Sequence, residues 1–231
     1  IILTDCIGKY SKPYEVGDIV FYDESATPLS EIMAREQVDP NTKSKMTELE
    51  QNSAVALIFY KGTNLNSDFI DEKSDITTER TIGIGFEQTS EKFQWCRYEN
   101  STNYANAYLQ EIDKIQCLIN FYSFNTYGDK NGSDNLQQIS NYLEDNKIID
   151  DTDINNNYPA FDYCMNYSTQ ATAKNEIYDK NGWYLPTIAE LYEVYINKEI
   201  INNAIDLCGR STLLNGVYWT SSIYKEYLSY S

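Results

Sequence analysis

Gly182-Trp183-Tyr184-Leu185-Pro186-Thr187-Ile188-Ala189-Glu190-Leu191 is the most informative stretch of the chain. Pro186 keeps the residue before it out of helical geometry, so the segment through Leu185 reads as extended. Thr187, with Glu190 three places on, has the spacing of a capping box, in which hydroxyl and carboxylate satisfy each other's backbone N–H groups. The pattern predicts a helix with Leu191, Val194 and Tyr195 on one face, running to an Asn-rich break near Asn202. A second apolar stripe, Ile200, Ile201, Ala204, Ile205, Leu207 and Cys208, stops at Gly209, which can close it as a C-cap. Further on stands Tyr218-Trp219-Thr220-Ser221-Ser222. Trp183 and Trp219 carry the two largest apolar areas of this half, so both are expected in the core.

Upstream, Val16-Gly17-Asp18-Ile19-Val20-Phe21-Tyr22-Asp23 alternates as a first strand, ended by an acidic turn containing Pro28. Residues 30–52 are polar, and Pro40 interrupts them, so they predict a short helix or a loop. Ala54-Val55-Ala56-Leu57-Ile58-Phe59-Tyr60-Lys61-Gly62 is a continuous apolar run closed by Gly, the mark of a strand buried on both faces. After a solvated insertion, Thr63 to Thr78, strand alternation resumes at Arg80-Thr81-Ile82-Gly83-Ile84-Gly85-Phe86. Its G-x-G lacks a third glycine and a following amphipathic helix, so it makes a poor dinucleotide fingerprint. Phe93-Gln94-Trp95-Cys96 reads as a short strand or turn.

Tyr108, Ile112, Ile115, Leu118 and Ile119 fall at helical spacing, as do Leu136, Ile139 and Leu143, which predicts two helices. Between them Tyr127-Gly128-Asp129-Lys130-Asn131-Gly132-Ser133-Asp134 has the look of a calcium loop. Its glycine, however, stands fourth from the Asp where an EF-hand needs it sixth, which favours a plain turn and an Asx or Ser N-cap. Asp150, Asp151 and Asp153 form a second acidic cluster, read as a solvated loop with metal binding as the alternative. Tyr158-Pro159-Ala160-Phe161 opens a helical segment through Tyr167.

Composition removes whole classes of function. Eighteen basic against thirty-five acidic residues leave −17 over 231 residues, which repels phosphate backbones and anionic headgroups. No apolar run approaches the roughly 20 residues of a spanning helix. Histidine is absent, so the usual base for a Ser or Cys nucleophile and the commonest zinc ligand are missing. Asn (23) and Tyr (21) are the enriched types, amides and phenols that contact ligands without reacting with them. Cys6, Cys96, Cys117, Cys164 and Cys208 show no C-x-x-C and are odd in number. They read as small buried hydrophobes, with one or two disulfides of an exported protein as the alternative. The start at Ile1-Ile2-Leu3-Thr4-Asp5-Cys6 shows no export signal, which is expected to have been trimmed or never to have existed.

The W-Y-L-P-T-I-A-E-L and Y-W-T-S-S stretches resemble the W-x-L-P-[ST]-x-x-E-L and Y-W-[ST]-S-S pair of bacterial proteins with a C-type-lectin-like fold of the formylglycine-generating-enzyme kind. Gly17-Asp18-Ile19-Val20, the 54–62 run, Gly83-Ile84-Gly85, Trp95-Cys96, Gly132-Ser133-Asp134-Asn135 and Tyr158-Pro159-Ala160-Phe161 are similar to the branch known from treponemal and other retroelement-diversified variable proteins. The resemblance covers roughly residues 16–224. It implies an α+β fold with a small twisted antiparallel sheet, two or more helices and long irregular loops. Residues 1–15 become an N-terminal extension and 16–231 the lectin-like domain, ending before the closing strand that relatives carry. Trp183, Pro186, Thr187, Glu190, Leu191 and Trp219 become framework. The paired active thiols of catalytic relatives have no counterpart among the five cysteines. A diversified segment would follow the second motif, and Ile223-Tyr224-Lys225-Glu226-Tyr227-Leu228-Ser229-Tyr230-Ser231 has the Tyr/Ser composition that mutated Asn codons yield.

These readings converge on a non-enzymatic binding domain, exported to the cell surface or periplasm, recognising a protein or glycan. The expected contact residues are Tyr218, Ser221, Ser222, Tyr224, Tyr227 and Tyr230. No nucleic acid, no membrane insertion of the domain and no cofactor are expected, with calcium left open by the acidic turn. Two alternatives remain: a structural or adhesin module whose loops bind nothing specific, and a glycosidase working through carboxylates alone.

Overall fold

The computed structural model describes residues 7–9, 14–66, 78–96, 112–120, 125–145, 157–167, 182–211 and 216–224. Strands β1 (Asp18–Phe21), β2 (Ala26–Pro28), β3 (Ala54–Gly62) and β4 (Arg80–Gly85) make an antiparallel sheet in the order β2-β1-β3-β4. The 54–62 run is a central strand, flanked by β1 and β4, with Leu57 opposite both Ile19 and Ile84. That position explains its lack of alternation: Leu57 and Phe59 join one apolar cluster, while Val55 and Ile58 belong to others.

Residues 30–52 hold two short helices, α1 (Leu29–Met33) and α2 (Glu48–Ser53). A capping box of Thr47 and Glu50 starts the second, and Arg35 grips Glu50 through two nitrogens at 2.7 and 2.8 Å. A second sheet has the order β6-β5-β7, from β5 (Gln116–Asn120), β6 (Asn125–Gly128) and β7 (Ile223–Tyr224). Here β6 is antiparallel to β5 and β7 runs parallel to it. The remaining helices are α3 (Asn135–Asp145), α4 (Pro159–Met165), α5 (Ile188–Ile196) and α6 (Lys198–Leu207).

Two apolar clusters organise the molecule. In the first, Ile201, Ala204, Ile205 and Cys208 of the α6 side cover Ile19, Phe21, Leu57 and Phe59 of the first sheet. In the second, Ile139 and Leu143 of α3, Phe161 of α4, Tyr158 and Leu185 pack with Ile115. Trp95 sets its edge against Tyr158 and Phe161 at ring-centre distances of 5.7 and 5.2 Å. The chain is therefore α+β, with a small antiparallel sheet and several helices. No described helix is long and apolar enough to cross a membrane.

Three expectations need correction. The helix over Tyr108–Ile119 is a 3-10 turn, Asp113–Ile115, followed by β5, while Tyr108 lies outside the described residues. Pairing of β5 on both sides, with β6 and β7, overrides the helical spacing of its apolar residues. The break between the C-terminal helices comes at Asn197, not near Asn202, and Tyr195 and Ile200 lie on the exposed side. Trp219 is 53% exposed instead of core. The cap at Gly209 is present, with φ at +68°.

Candidate functional site

The capping box forms as read: Thr187 Oγ1 accepts from Glu190 N at 3.1 Å, and Glu190 Oε2 accepts from Thr187 N at 2.8 Å. The same carboxylate does more than cap. Its Oε2 takes the Gly132 N–H at 3.3 Å, and its Oε1 meets Arg80 Nη2 at 3.0 Å and accepts from the Tyr184 hydroxyl at 2.8 Å. Arg80, from β4, also donates to that hydroxyl at 3.0 Å and to the carbonyls of Leu65 and Lys130. One buried carboxylate thus joins the first sheet, the 128–135 turn and α5. Gly132 is required there, because a Cβ would stand 2.7 Å from Leu185 O and 2.8 Å from Glu190 Oε2.

The second signature is sewn onto this hub. Ser221 N donates to Pro186 O at 2.8 Å, and Ser222 Oγ accepts the first-turn N–H of Ile188 at 3.2 Å. Ser222 Oγ donates to Asp129 Oδ2 at 3.2 Å, and Asn135 Nδ2 donates to Asp129 Oδ2 at 2.6 Å and to Ser221 Oγ at 2.8 Å. Asp129 Oδ1 accepts from Asn131 N at 3.0 Å, and Asn131 in turn caps the 3-10 turn Gly132–Asp134. The turn reading with an Asx cap is what forms. Trp95 Nε1 donates to Thr220 O at 2.6 Å, and Trp219 Nε1 donates to Phe93 O at 2.8 Å. The Tyr218 hydroxyl reaches Gln88 Oε1 at 3.3 Å.

Burial pushes Asp129 up to about 8, and the nearby Glu190 charge adds to this against the pull of its three donors. Burial raises Glu190 too, opposed chiefly by Arg80. Asp129 and Glu190 are 0% and 1% exposed, so neither residue faces solvent. Among the described residues no group of three or more His, Cys, Asp or Glu could hold a metal ion.

The predicted site residues divide. Ser221 is 0% exposed and Ser222 is half-buried, and both hydroxyls are bonded within the structure. Their hydroxyls are consumed by Asn135, Asp129 and the helix N-terminus. Tyr218 is 45% exposed, Trp219 53%, and Val217 fully so. Trp219 is out of the core because its indole N–H is held by a loop carbonyl, which lays the ring along the surface. Tyr224 pairs with Cys117 through the β7 backbone. Tyr227, Tyr230 and the cluster Asp150, Asp151 and Asp153 lie outside the described residues. Of the framework set, Thr187 and Glu190 are buried, Pro186 supplies its carbonyl to Ser221, and Leu191 is half-buried. Trp183 packs on Tyr167, ring centres 4.6 Å apart, beside Val55.

Asp129, Asn135, Arg80 and Tyr184 were not among the sequence candidates. The turn 127–134 was the only signal for Asp129, and it pointed outward to calcium instead of inward to Ser222.

Comparison with family models, with curated proteins and with solved structures gives no match for this chain.

Proposed function

We propose that the chain is a non-enzymatic recognition domain on a C-type-lectin-like scaffold, exported to the cell surface or periplasm, that binds a protein or glycan. The observation that carries this reading is the contrast within residues 217–222. Ser221 and Ser222 are locked beneath, while Val217, Tyr218 and Trp219 stand exposed in a row. Tyr and Trp offer large contact area with little rotamer freedom to lose, and holding their N–H and O–H groups fixes their orientation before a partner arrives. Non-enzymatic action is supported by the absence of histidine and by the commitment of the buried Asp129 and Glu190 carboxyls to structural bonds. The finer proposal is that the segment after the Tyr218–Ser222 motif is diversified by a retroelement.

The test is a screen of the purified protein on glycan and surface-protein arrays, followed by Tyr218→Ala and Trp219→Ala on any ligand found. Each substitution is expected to weaken binding by roughly thirtyfold or more, the effect of removing an interface anchor of about 2 kcal/mol. Unchanged affinity in both variants, or turnover of a substrate, contradicts the reading. Sequencing the gene's 3′ end across clonal isolates tests diversification. Variation confined to codons after Ser222 is expected, and an invariant tail favours the structural adhesin instead.

A further inference from the structure

We infer that the Asn131–Gly132 junction is a shielded self-modification site: it is inert while Glu190 holds it, and when that hold opens it deamidates to isoaspartate, which dismantles the Tyr218–Ser222 ledge for good. The inference rests on the recognition reading only for the function that is lost with the ledge.

Asn followed by Gly is the dipeptide most prone to this reaction, because no side chain on the second residue hinders its nitrogen. The Gly132 backbone nitrogen forms a bond to Asn131 Cγ, the side-chain nitrogen leaves as ammonia, and a succinimide ring remains. Water then opens the ring at either carbonyl, giving aspartate or isoaspartate, and the isoaspartate carries an extra carbon in the main chain. Water is the sole co-reactant. Chains ordinarily suppress the reaction by placing a bulkier residue after the Asn. That route is closed at position 132, where a Cβ would stand 2.7 Å from Leu185 O, 2.8 Å from Glu190 Oε2 and 3.0 Å from Thr187 N.

The fold protects the junction by geometry instead. The ψ angle of Asn131 is 94°, which turns the Gly132 nitrogen away from the Asn131 side chain, so ring closure requires this peptide to rotate. Its N–H is bound to Glu190 Oε2 at 3.3 Å in a buried position, and the rotation breaks that bond. The attacked group is held as well, since Asn131 Oδ1 accepts from Ser133 N at 3.3 Å and from Ser133 Oγ at 2.6 Å.

The same junction lies between the two carboxyls that carry the ledge. On one side Asn131 N is bound to Asp129 Oδ1 at 3.0 Å, and the other oxygen of that carboxyl accepts from Asn135 Nδ2 and Ser222 Oγ. On the other side stands Glu190, which starts the helix whose Ile188 N–H Ser222 Oγ accepts. A main-chain carbon added between them has no room in a turn that cannot take a methyl group at 132. The Ser221 and Ser222 anchors therefore separate, and the loss of ammonia makes the change one-way.

The experiment needs no ligand, so its outcome is independent of whether the recognition reading stands. Wild type, Glu190→Ala and a synthetic peptide of residues 127–135 are aged in the same mildly alkaline buffer, and isoaspartate at 131 is followed by peptide-mapping mass spectrometry. Asn215–Gly216, whose glycine stands in open space, is the internal reference. Wild type is expected to convert at 131 roughly tenfold or more slowly than the peptide, as an opening equilibrium dictates. Glu190→Ala should approach the peptide at 131 with conversion at 215 unchanged. The modified fraction of aged wild type should show raised deuterium uptake in residues 216–222 relative to β3. Conversion of folded wild type at the peptide's rate, no acceleration in the variant, or native exchange in the modified fraction overturns the proposal. Should Glu190→Ala fail to fold, wild type in urea below its unfolding transition decides. Conversion at 131 that rises before β3 begins to exchange supports the proposal, and conversion that rises only together with β3 overturns it.

Discussion

Glu190 ties several parts of the molecule together, since it caps its own helix, binds the Gly132 amide and neutralises Arg80. Glu190→Ala would leave the Arg80 guanidinium largely buried without its partner and is expected to destabilise by about 3–5 kcal/mol in urea unfolding. A loss below about 1 kcal/mol would mean the pair is solvated. Trp219→Ala belongs at the other extreme: the ring is half out of contact, so about 1 kcal/mol or less is expected from the same measurement, with the damage falling on binding. At this scale the sequence was readable where partners are close along the chain. Thr187 and Glu190 were paired correctly, three residues apart, whereas Asp129 and Ser222 lie 93 apart and leave no local trace. Ser221 and Ser222 were read as contacts because a hydroxyl's side of the backbone is set by tertiary bonds.

Among the elements, α5 depends on its cap and on the glycine beneath it. Thr187→Ala removes the acceptor for Glu190 N and is expected to cost about 1 kcal/mol. Gly132→Ala should cost more than Thr187→Ala in paired thermal melts, because its methyl would collide with the Leu185 carbonyl and the Glu190 carboxylate together. An Ala at 132 that melts like wild type would show that the turn can move away from α5. The continuous run at β3 was legible because a central strand buried on both faces carries its own pattern, and β4, an edge strand, was legible from its alternation. β5 was not: Ile115, Leu118 and Ile119 satisfy a helical template, and only its two neighbouring strands, one from far along the chain, decide against it.

For the whole molecule, the α+β class and the binding of Trp183 and Trp219 into a common framework were expected, yet the two rings have different duties. Trp183 packs inward on Tyr167, while Trp219 lies on the surface, tied by one bond to Phe93 O. A motif identifies which residues meet but not which way each faces: the Trp219 N–H is captured at the surface by Phe93 O, whereas the Trp183 ring is turned inward by its packing on Tyr167, its N–H buried with no hydrogen-bond partner. Residues 218–222 form a rigid ledge with its serines inside and its aromatic rings outside. Amide hydrogen exchange resolved to single residues tests this most directly. The Ser221 and Ile188 amides, held by Pro186 O and Ser222 Oγ, should exchange as slowly as those of central β3, with Val217 exchanging freely. Exchange of Ser221 at the rate of an open chain would contradict it.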